Sequence, residues 1–292
     1  MRDRPQQQGY ALILVLWIVV LLSAVTLLFQ SSARTETRLL ALDLNASEAR
    51  AIAEAGVWLG AQSIVADARG ARTAQRPREL DIEFEGHRVQ VLIRDVSGLI
   101  NLNLAAANLL DSAFAGAGLD VSERTRIVNA ILDWRDVDTD ARNGGPEPQS
   151  VETAWGMVPV RNGLFATVDE LRSIPGMTDA VYRQVRDRFT VYGSHRRINL
   201  NAAPRQVLAA LPGADDATVD AYLAERTLNS PANNPITSGA NRRLLQNTGE
   251  GIFSVSATAV IGDVSVNLSP IIRIPRRPDE EILVLSWGGD AS

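Results

Sequence analysis

The chain has 292 residues, 29 basic against 34 acidic side chains, and a formal net charge of −5. Every basic group is an arginine and cysteine is absent. An acidic surplus argues against nonspecific nucleic-acid binding and against lying flat on anionic lipid, and without a disulfide framework the fold must rely on a packed core or a bound metal.

The first element is a polar leader, Met1–Gln8, that ends at Gly9. An uncharged apolar run follows from Tyr10 to Phe29, interrupted only by the hydroxyls of Ser23 and Thr26. A helix that spans a bilayer needs roughly 20 apolar residues, and Arg2 and Arg4 ahead of the run orient the amino terminus towards the cytoplasm. A helical pattern then continues through Leu39, Leu40, Leu44, Ala51, Ala55, Trp58 and Val65, with no proline until Pro77. The pattern predicts one rod over residues 10–66, about 85 Å long at 1.5 Å per residue, half in the bilayer and half outside. A secretory signal cleaved near Ser31 and Ala33 is a competing reading, but such signals have apolar cores of roughly 7–15 residues. A plain signal anchor with an incidental Gly9 is another. Ala46, Ala49, Ala53 and Ala55 are small enough to let a neighbouring rod approach closely.

A polar linker, Asp67–Arg78, leads to two alternating segments, Leu80–Phe84 and His87–Arg94, around Glu85-Gly86, which predict a β-hairpin. Leu99–Leu104 reads as a short strand. The texture then becomes alanine-rich, and capping residues predict helices over 105–115, 122–134, 167–174, 178–189, 204–211 and 216–227. Asn229–Gln246 reads as a loop, and strands return over 252–261, 264–274 and 281–287. The expected class is α+β. Residues 1–9 form a leader and 10–66 a transmembrane and stem helix. Residues 67–104 and 247–292 form an antiparallel sheet packed on the stem, and 105–246 an inserted α-helical domain.

The helical block echoes itself. Leu99-Ile-Asn-Leu-Asn103 resembles Arg197-Ile-Asn-Leu-Asn201, and Leu171–Gly176 resembles Leu208–Gly213, each ending in Pro-Gly before a further helix. Helix, Pro-Gly turn, helix is the helix-hairpin-helix pattern, whose turn amides hold phosphate in DNA-binding versions; a membrane-anchored DNA-uptake protein is therefore the rival reading. Thr178-Asp179 and Asp215-Asp216 follow these turns, and carboxylates there repel phosphate.

One constellation carries chemistry. Asp136, Asp138 and Asp140 alternate, and Glu147 falls at position 12 counted from Asp136. This is the spacing of a calcium loop of the EF-hand kind, and hard carboxylate oxygens select calcium. Ala141 stands where a glycine would make the sharp turn, Pro146 and Pro148 prevent an ordinary exiting helix, and Glu152 can replace or supplement Glu147. A solvated acidic loop is the plainer alternative. Catalytic readings are poor: His87 and His195, the two histidines, read as solvated surface, and there is no nucleophile elbow and no phosphate-cradling glycine loop.

Gln8-Gly9 before an apolar helix that continues as a rod looks like a type IV pilin or pseudopilin signal. Leu132–Asp138, Gly144–Glu147, Thr167–Met177, Val191-Tyr192 and Ile198–Leu208 together resemble the K-type minor pseudopilin of the type II secretion system, the GspK family. The resemblance implies a pseudopilin fold with an inserted α-domain, at the tip of a periplasmic pseudopilus needed for protein export. It implies a single-pass inner-membrane protein with its C-terminal domain in the periplasm, cut after Gly9 by prepilin peptidase, with Tyr10 becoming a methylated first residue. Other minor pseudopilins are the implied partners, through stem helices and globular domains, and exported proteins are further candidates. It implies calcium at Asp136–Glu152, although Gly144-Gly-Pro-Glu147 departs from the family's Gly-Ala-Glu-Asp run. Most pilins carry glutamate at the fifth mature position, which here is Leu14. The expected protein is a non-enzymatic assembly subunit.

Overall fold

The computed structural model describes residues 8–68, 76–136, 142, 150–153, 156–159, 161–227, 235–237, 239–274 and 281–291. Helix α1 (Gln8–Ala68) is continuous over 61 residues, about 90 Å at 1.5 Å per residue. Its C-terminal part presents one buried stripe, Ala49, Ile52, Ala53, Val57, Ala61 and Ile64, at the three- and four-residue spacing of a helix face.

That stripe lies on a seven-stranded antiparallel sheet. Strand β1 (Arg78–Phe84) pairs with β2 (His87–Asp95) through a tight turn at Glu85-Gly86, where both residues have positive φ, 50° and 81°. The next pieces belong to the helical part: β3 (Ile100–Asn101), α2 (Ala107–Phe114), α3 (Val121–Arg135), the hairpin β4 (Ser150–Thr153) and β5 (Gly156–Pro159), α4 (Asp179–Val185), β6 (Phe189–Thr190), β7 (Ile198–Asn199), α5 (Arg205–Leu208), α6 (Asp216–Thr227) and β8 (Leu245–Gln246). The chain returns to the sheet in β9 (Ile252–Ile261), β10 (Val264–Leu268), β11 (Ile271–Arg273), β12 (Leu283–Ser286) and β13 (Gly289–Ala291). Strand β9 is central. It pairs with β2 on one side, and on the other with β10 and then β11 in succession along its length. Val89, Val91 and Ile93 of β2 and Val255, Ala257 and Ala259 of β9 face α1.

Glycine makes the close approach possible. A Cβ on Gly56 would lie 2.5 Å from Val89 Cγ1, and one on Gly60 2.8 Å from Val91 Cγ1. This overturns the expectation that the alanines of α1 are free for neighbouring rods: Ala49 and Ala53 are fully buried on this chain's own sheet, and Ala46 and Ala55 are half-buried.

A second core belongs to the helices and includes Phe114, Ile131, Leu171, Tyr182, Leu208 and Tyr222. Within it the two Ile-Asn-Leu-Asn segments adopt one conformation. Each begins as a two-residue strand in a parallel pair, β3 with β6 and β7 with β8. In each the first asparagine turns the chain, as Asn101 Oδ1 accepts from Asn103 N at 2.9 Å and Asn199 Oδ1 from Asn201 N at 3.1 Å. In each an arginine at the end of a later helix clamps the segment. Arg135 donates to the carbonyls of Leu102 and Ala105 at 2.6 and 2.8 Å. Arg226 donates to those of Leu200 and Ala203 at 3.1 and 2.8 Å. Both intervening turns have a left-handed glycine two residues before an aspartate cap: Gly118 before Asp120, which accepts from Glu123 N, and Gly213 before Asp215, which accepts from Thr218 N.

Several expectations are corrected. The strand expected over 99–104 stops at Asn101, because the asparagine turn takes over. The segment 167–174 is a 3₁₀ helix over Val168–Ser173. The helix expected over 178–189 ends at Val185, and a 3₁₀ turn, Arg186–Arg188, then leads into β6. The strand expected over 264–274 is split at Ser269-Pro270, where proline has no N–H for a ladder and its carbonyl instead accepts from Val255 N at 3.1 Å. The loop expected over 229–246 ends in β8.

Candidate functional site

Asp136 is fixed by the end of α3. It is the C-cap residue, with an extended backbone, and its N–H donates to Leu132 O at 3.3 Å. A partner absent from the motif reading joins it: Asp133, one turn earlier on α3. Arg142 bridges the pair, with Nε 3.1 Å from Asp133 Oδ1 and Nη2 2.9 Å from Asp136 Oδ2. The backbone N of Arg142 also donates to Asp133 Oδ2 at 3.3 Å. The remaining oxygen, Asp136 Oδ1, is buried and has no hydrogen-bond partner among the described residues. A bare, desolvated carboxylate oxygen is costly by itself and suits a hard cation.

The other expected ligands are only partly placed. Glu152 lies on β4 and is exposed. Asp138, Asp140 and Glu147 lie outside the described residues, and among the described residues no group of three or more acids and histidines could hold a metal. The sequence signal for Asp133 and Arg142 was present in the spacing: Asp133 is a helical turn from Asp136, and Arg142 is the first basic residue after Arg135.

The Pro-Gly turns do not offer free phosphate sites. Gly176 and Gly213 have positive φ as the turns require. The helix starts after them are already capped, by Thr178 Oγ1 at Val181 N and by Asp215 Oδ1 at Thr218 N. Nearby arginines are engaged too: Arg183 lies 2.9 Å from Asp179, and Arg205 pairs with Asp216 and Asp220.

A polar cluster sits where the helical block joins the sheet. Asp95, at the end of β2, caps the 3₁₀ turn Val96–Gly98 by accepting from Ser97 N at 2.9 Å. Burial pushes its carboxyl above the usual range, although hydrogen bonds from Ser97 and the nearby His195 oppose this. His195, expected at the surface, is only 4% exposed. Its Nε2 lies 3.1 Å from Leu99 O, so that nitrogen carries the proton, and its Nδ1 is 3.7 Å from Glu250 Oε2. Asn199 donates to Ser97 Oγ at 3.0 Å. The Ser-His-Arg-Arg turn looked polar and therefore solvated, but the carbonyl of Leu99 gives the imidazole a buried partner. His87 is half-exposed and reaches back to α1, with Nε2 3.3 Å from Glu48.

At the other end of the chain, Gly9 and Tyr10 lie within α1, and Leu14 is 61% exposed. Among the described residues no helix is long and apolar enough to cross a membrane. The side chains described in this part of α1 are 12–26, a shorter stretch than the apolar run Tyr10–Phe29.

Residues 93–194 match the family model described as type II secretion system (T2SS), protein K. They begin in β2 and end at Ser194, just before the buried His195, and they include Asp133, Asp136 and Arg142. Similarity to the type II secretion system protein K family is thus carried by residues 93–194 of the 292. A protein of Escherichia coli (strain K12) named for type II secretion system protein K is 27% identical over 201 residues, 62% of this chain and 61% of that relative. The match thus spans about three-fifths of the curated relative. The fold is similar to a chain in the crystal structure of the GspK-GspI-GspJ complex from enterotoxigenic Escherichia coli. The TM-score is 0.63 at 17% identity, covering 88% of this chain and 100% of that one. The partial family match and the mixed helix and antiparallel-sheet architecture agree with the resemblance carried by the motifs.

Proposed function

We propose that this protein is a minor pseudopilin at the tip of the type II secretion pseudopilus, a structural assembly subunit and not an enzyme. The observation that carries the reading is the division of α1. One face of residues 49–64 (Ala49, Ile52, Ala53, Val57, Ala61 and Ile64) is covered by the chain's own sheet, whereas the predominantly apolar residues 12–25 are exposed, Trp17 to 69%. Among the described residues nothing covers that surface, and a bilayer or a bundle of like helices supplies what it lacks. In this reading the Tyr10–Phe29 run anchors the protein in the inner membrane, with the sheet and helical block in the periplasm. Prepilin peptidase cuts after Gly9, and Tyr10 becomes the methylated first residue. The partners are other minor pseudopilins, by analogy with the GspK-GspI-GspJ complex named above. With Ala49 and Ala53 occupied, those partners meet the exposed residues of α1, among them Leu39, Leu40 and Leu44.

Asp136, with Asp138, Asp140, Glu147 and Glu152, would hold calcium, which would neutralise carboxylates otherwise left to repel one another. The bare Asp136 Oδ1 supports this fit. Leu14 leaves the protein without a carboxylate to neutralise a neighbour's amino terminus, which suits a terminal cap better than a repeating unit. The DNA-uptake reading is not favoured, because the caps and arginines of the Pro-Gly turns are internally engaged.

The test is co-purification of the full chain with candidate minor pseudopilins from the native host, with and without chelator, together with the mass of its mature amino terminus and a secretion assay of the deletion strain. A stable complex, loss of the leader at Gly9 and loss of export are expected. An intact leader, or normal export in the deletion strain, would refute the reading.

A further inference from the structure

Strand β1 forms one end of the main sheet. Among the described residues it pairs with β2 and with no other strand. Glu85-Gly86 is a two-residue turn, so Phe84 and His87 exchange hydrogen bonds, and the alternation of an antiparallel ladder engages the backbones of Ile82 and Leu80 with β2 in the same way. The N–H and C=O groups of Glu79, Asp81 and Glu83 therefore point away from β2, along the edge. Such edges are ordinarily blunted by a short strand, a proline, a bulge or a charge on the buried face. Strand β1 has none of these. It runs seven residues in unbroken register, and Leu80, Ile82 and Phe84 on its inner side are apolar and only half-buried against the core under α1. An open hollow of about 410 Å³ lies beside the edge, lined by Asp81, Ile82, Glu83, Gly86 and Arg88. The outer side of the strand is acidic at every second residue, Glu79, Asp81 and Glu83, all exposed. Arg88 of β2 stands opposite Glu83, yet among the described residues no ion pair engages these three carboxylates.

We infer that the edge of β1 is a docking site for an extended segment of another protein, which joins the sheet as a further strand and carries arginine or lysine at alternate positions with apolar residues between them. Backbone pairing takes up the outward N–H and C=O groups of Glu79, Asp81 and Glu83. The basic side chains of the added strand lie on the outer face, directly opposite those three carboxylates, where opposite charges stabilise a cross-strand pair. Its apolar side chains lie on the inner face and continue the row Leu80, Ile82 and Phe84 over the core. The acids also decide between partners. A second copy docking through its own β1 would set Asp81 against Asp81 and Glu79 against Glu83, and like charges directly opposite are destabilising. The edge thus repels its own kind while it admits a basic strand.

The experiment is fluorescence anisotropy of a labelled peptide alternating lysine and valine, titrated with the full chain in nonionic detergent. One comparison peptide replaces each lysine by glutamate. Another carries N-methyl groups on its lysines, which removes the N–H groups that would pair with β1 and keeps the charge. The chain is tested as wild type, as Asp81→Pro, and as the combined Glu79→Gln, Asp81→Asn and Glu83→Gln variant, with thermal unfolding of each. Asp81→Pro deletes one outward N–H and leaves the ladder to β2 intact. Wild type is expected to bind the lysine peptide saturably, and to bind the glutamate and N-methyl peptides at least about tenfold more weakly. Asp81→Pro should lose at least about tenfold, and the combined amide variant about 3–10-fold. Absence of binding by wild type overturns the proposal. Equal binding of the N-methyl peptide, or binding unchanged by Asp81→Pro, also overturns it, because charge attraction without strand pairing would then account for the whole effect. Should Asp81→Pro melt early, the N-methyl comparison on wild type decides alone.

Discussion

Replacing Arg135 by methionine tests whether the repeated arginine clamp holds the helical core. Arg135 donates to the carbonyls of Leu102 and Ala105 at 2.6 and 2.8 Å, and those residues are 0% and 1% exposed. Water cannot replace the lost donors without opening the core. A hydrogen bond to a charged group contributes about 1.5–3 kcal/mol, and a stranded buried acceptor costs about 1–3 kcal/mol. Against this stands the cost of burying the guanidinium itself, which burial pulls below its ordinary pKa. The balance is a loss of about 2–4 kcal/mol for Arg135→Met, or about 4–16 °C in melting temperature for a domain of this size. Arg226→Met should cost less, about 1–3 kcal/mol, because one nitrogen serves both carbonyls and one of its bonds is 3.1 Å long. Arg135→Lys keeps the charge but cannot fork to both oxygens, and should recover only part of the loss. Urea unfolding followed by tryptophan fluorescence reads these values. If Arg135→Met stays within about 0.5 kcal/mol of wild type, as ordinary surface changes do, or if lysine restores full stability, the clamp argument is refuted.

Gly56→Val places a Cβ 2.5 Å from Val89 Cγ1 and should destabilise the packing of α1 on the sheet by about 1–3 kcal/mol or more through overpacking; an unchanged unfolding midpoint would contradict the close approach. Asp95→Asn should stabilise at pH 7. The folded pKa of Asp95 is raised, so its contribution is best below the unfolded value near 3.8 and declines as pH rises through the folded pKa. The gain of the variant over wild type should therefore shrink on acidification, and a gain that grows towards acid would refute the sign. His195→Ala should cost about 1–3 kcal/mol by leaving the Leu99 carbonyl without its donor, read by thermal unfolding, whereas a solvated His195 would give no measurable change. Under the proposed assembly role, Leu14→Glu should change the position or stoichiometry of this subunit in co-purified complexes, and an identical complex would count against it.

Much of the architecture could be read from local pattern. Leu80, Ile82 and Phe84 alternate with acids, Val89, Val91 and Ile93 alternate with polar residues, and Glu85-Gly86 between them takes the positive φ values of a tight hairpin. Helix α6 begins and ends where its aspartate cap and periodicity put it. The misses share a cause, which is that their deciding contacts come from far along the chain. Whether Ala49 and Ala53 meet a partner or this chain's own sheet depends on Val89 and Val91. Whether His195 is wet depends on the carbonyl of Leu99. The break at Pro270 was visible as a residue, but its use, as an acceptor for Val255 between two strands that share β9, was not. At the candidate cation site the alternation of aspartates was legible. The pairing of Arg142 with Asp133 and Asp136 was not, because its contacts join residues up to nine apart in sequence.

The two Ile-Asn-Leu-Asn segments explain how an insertion of this size can begin and end near one sheet without disturbing it. Each segment makes only two residues of parallel pairing, then turns on its own asparagine and hands the chain to a helix, so neither extends the main sheet. The first leaves from β2 through the capped turn at Asp95. The second packs beside that same turn, with Asn199 on Ser97 and a backbone so close that a Cβ on Gly98 would lie 2.4 Å from the carbonyl carbon of Ala202. The strand pairing of the second segment, Asn199 with Gln246, then delivers the chain towards β9. The two echoes are thus the entry and exit fixtures of the helical block, and the arginine clamps at Arg135 and Arg226 hold both by the same chemistry. It follows that loosening either clamp should loosen the junction with the sheet as well as the helices, and amide exchange at Ser97 and Asn199 should accelerate in Arg226→Met before the central strand β9 is affected.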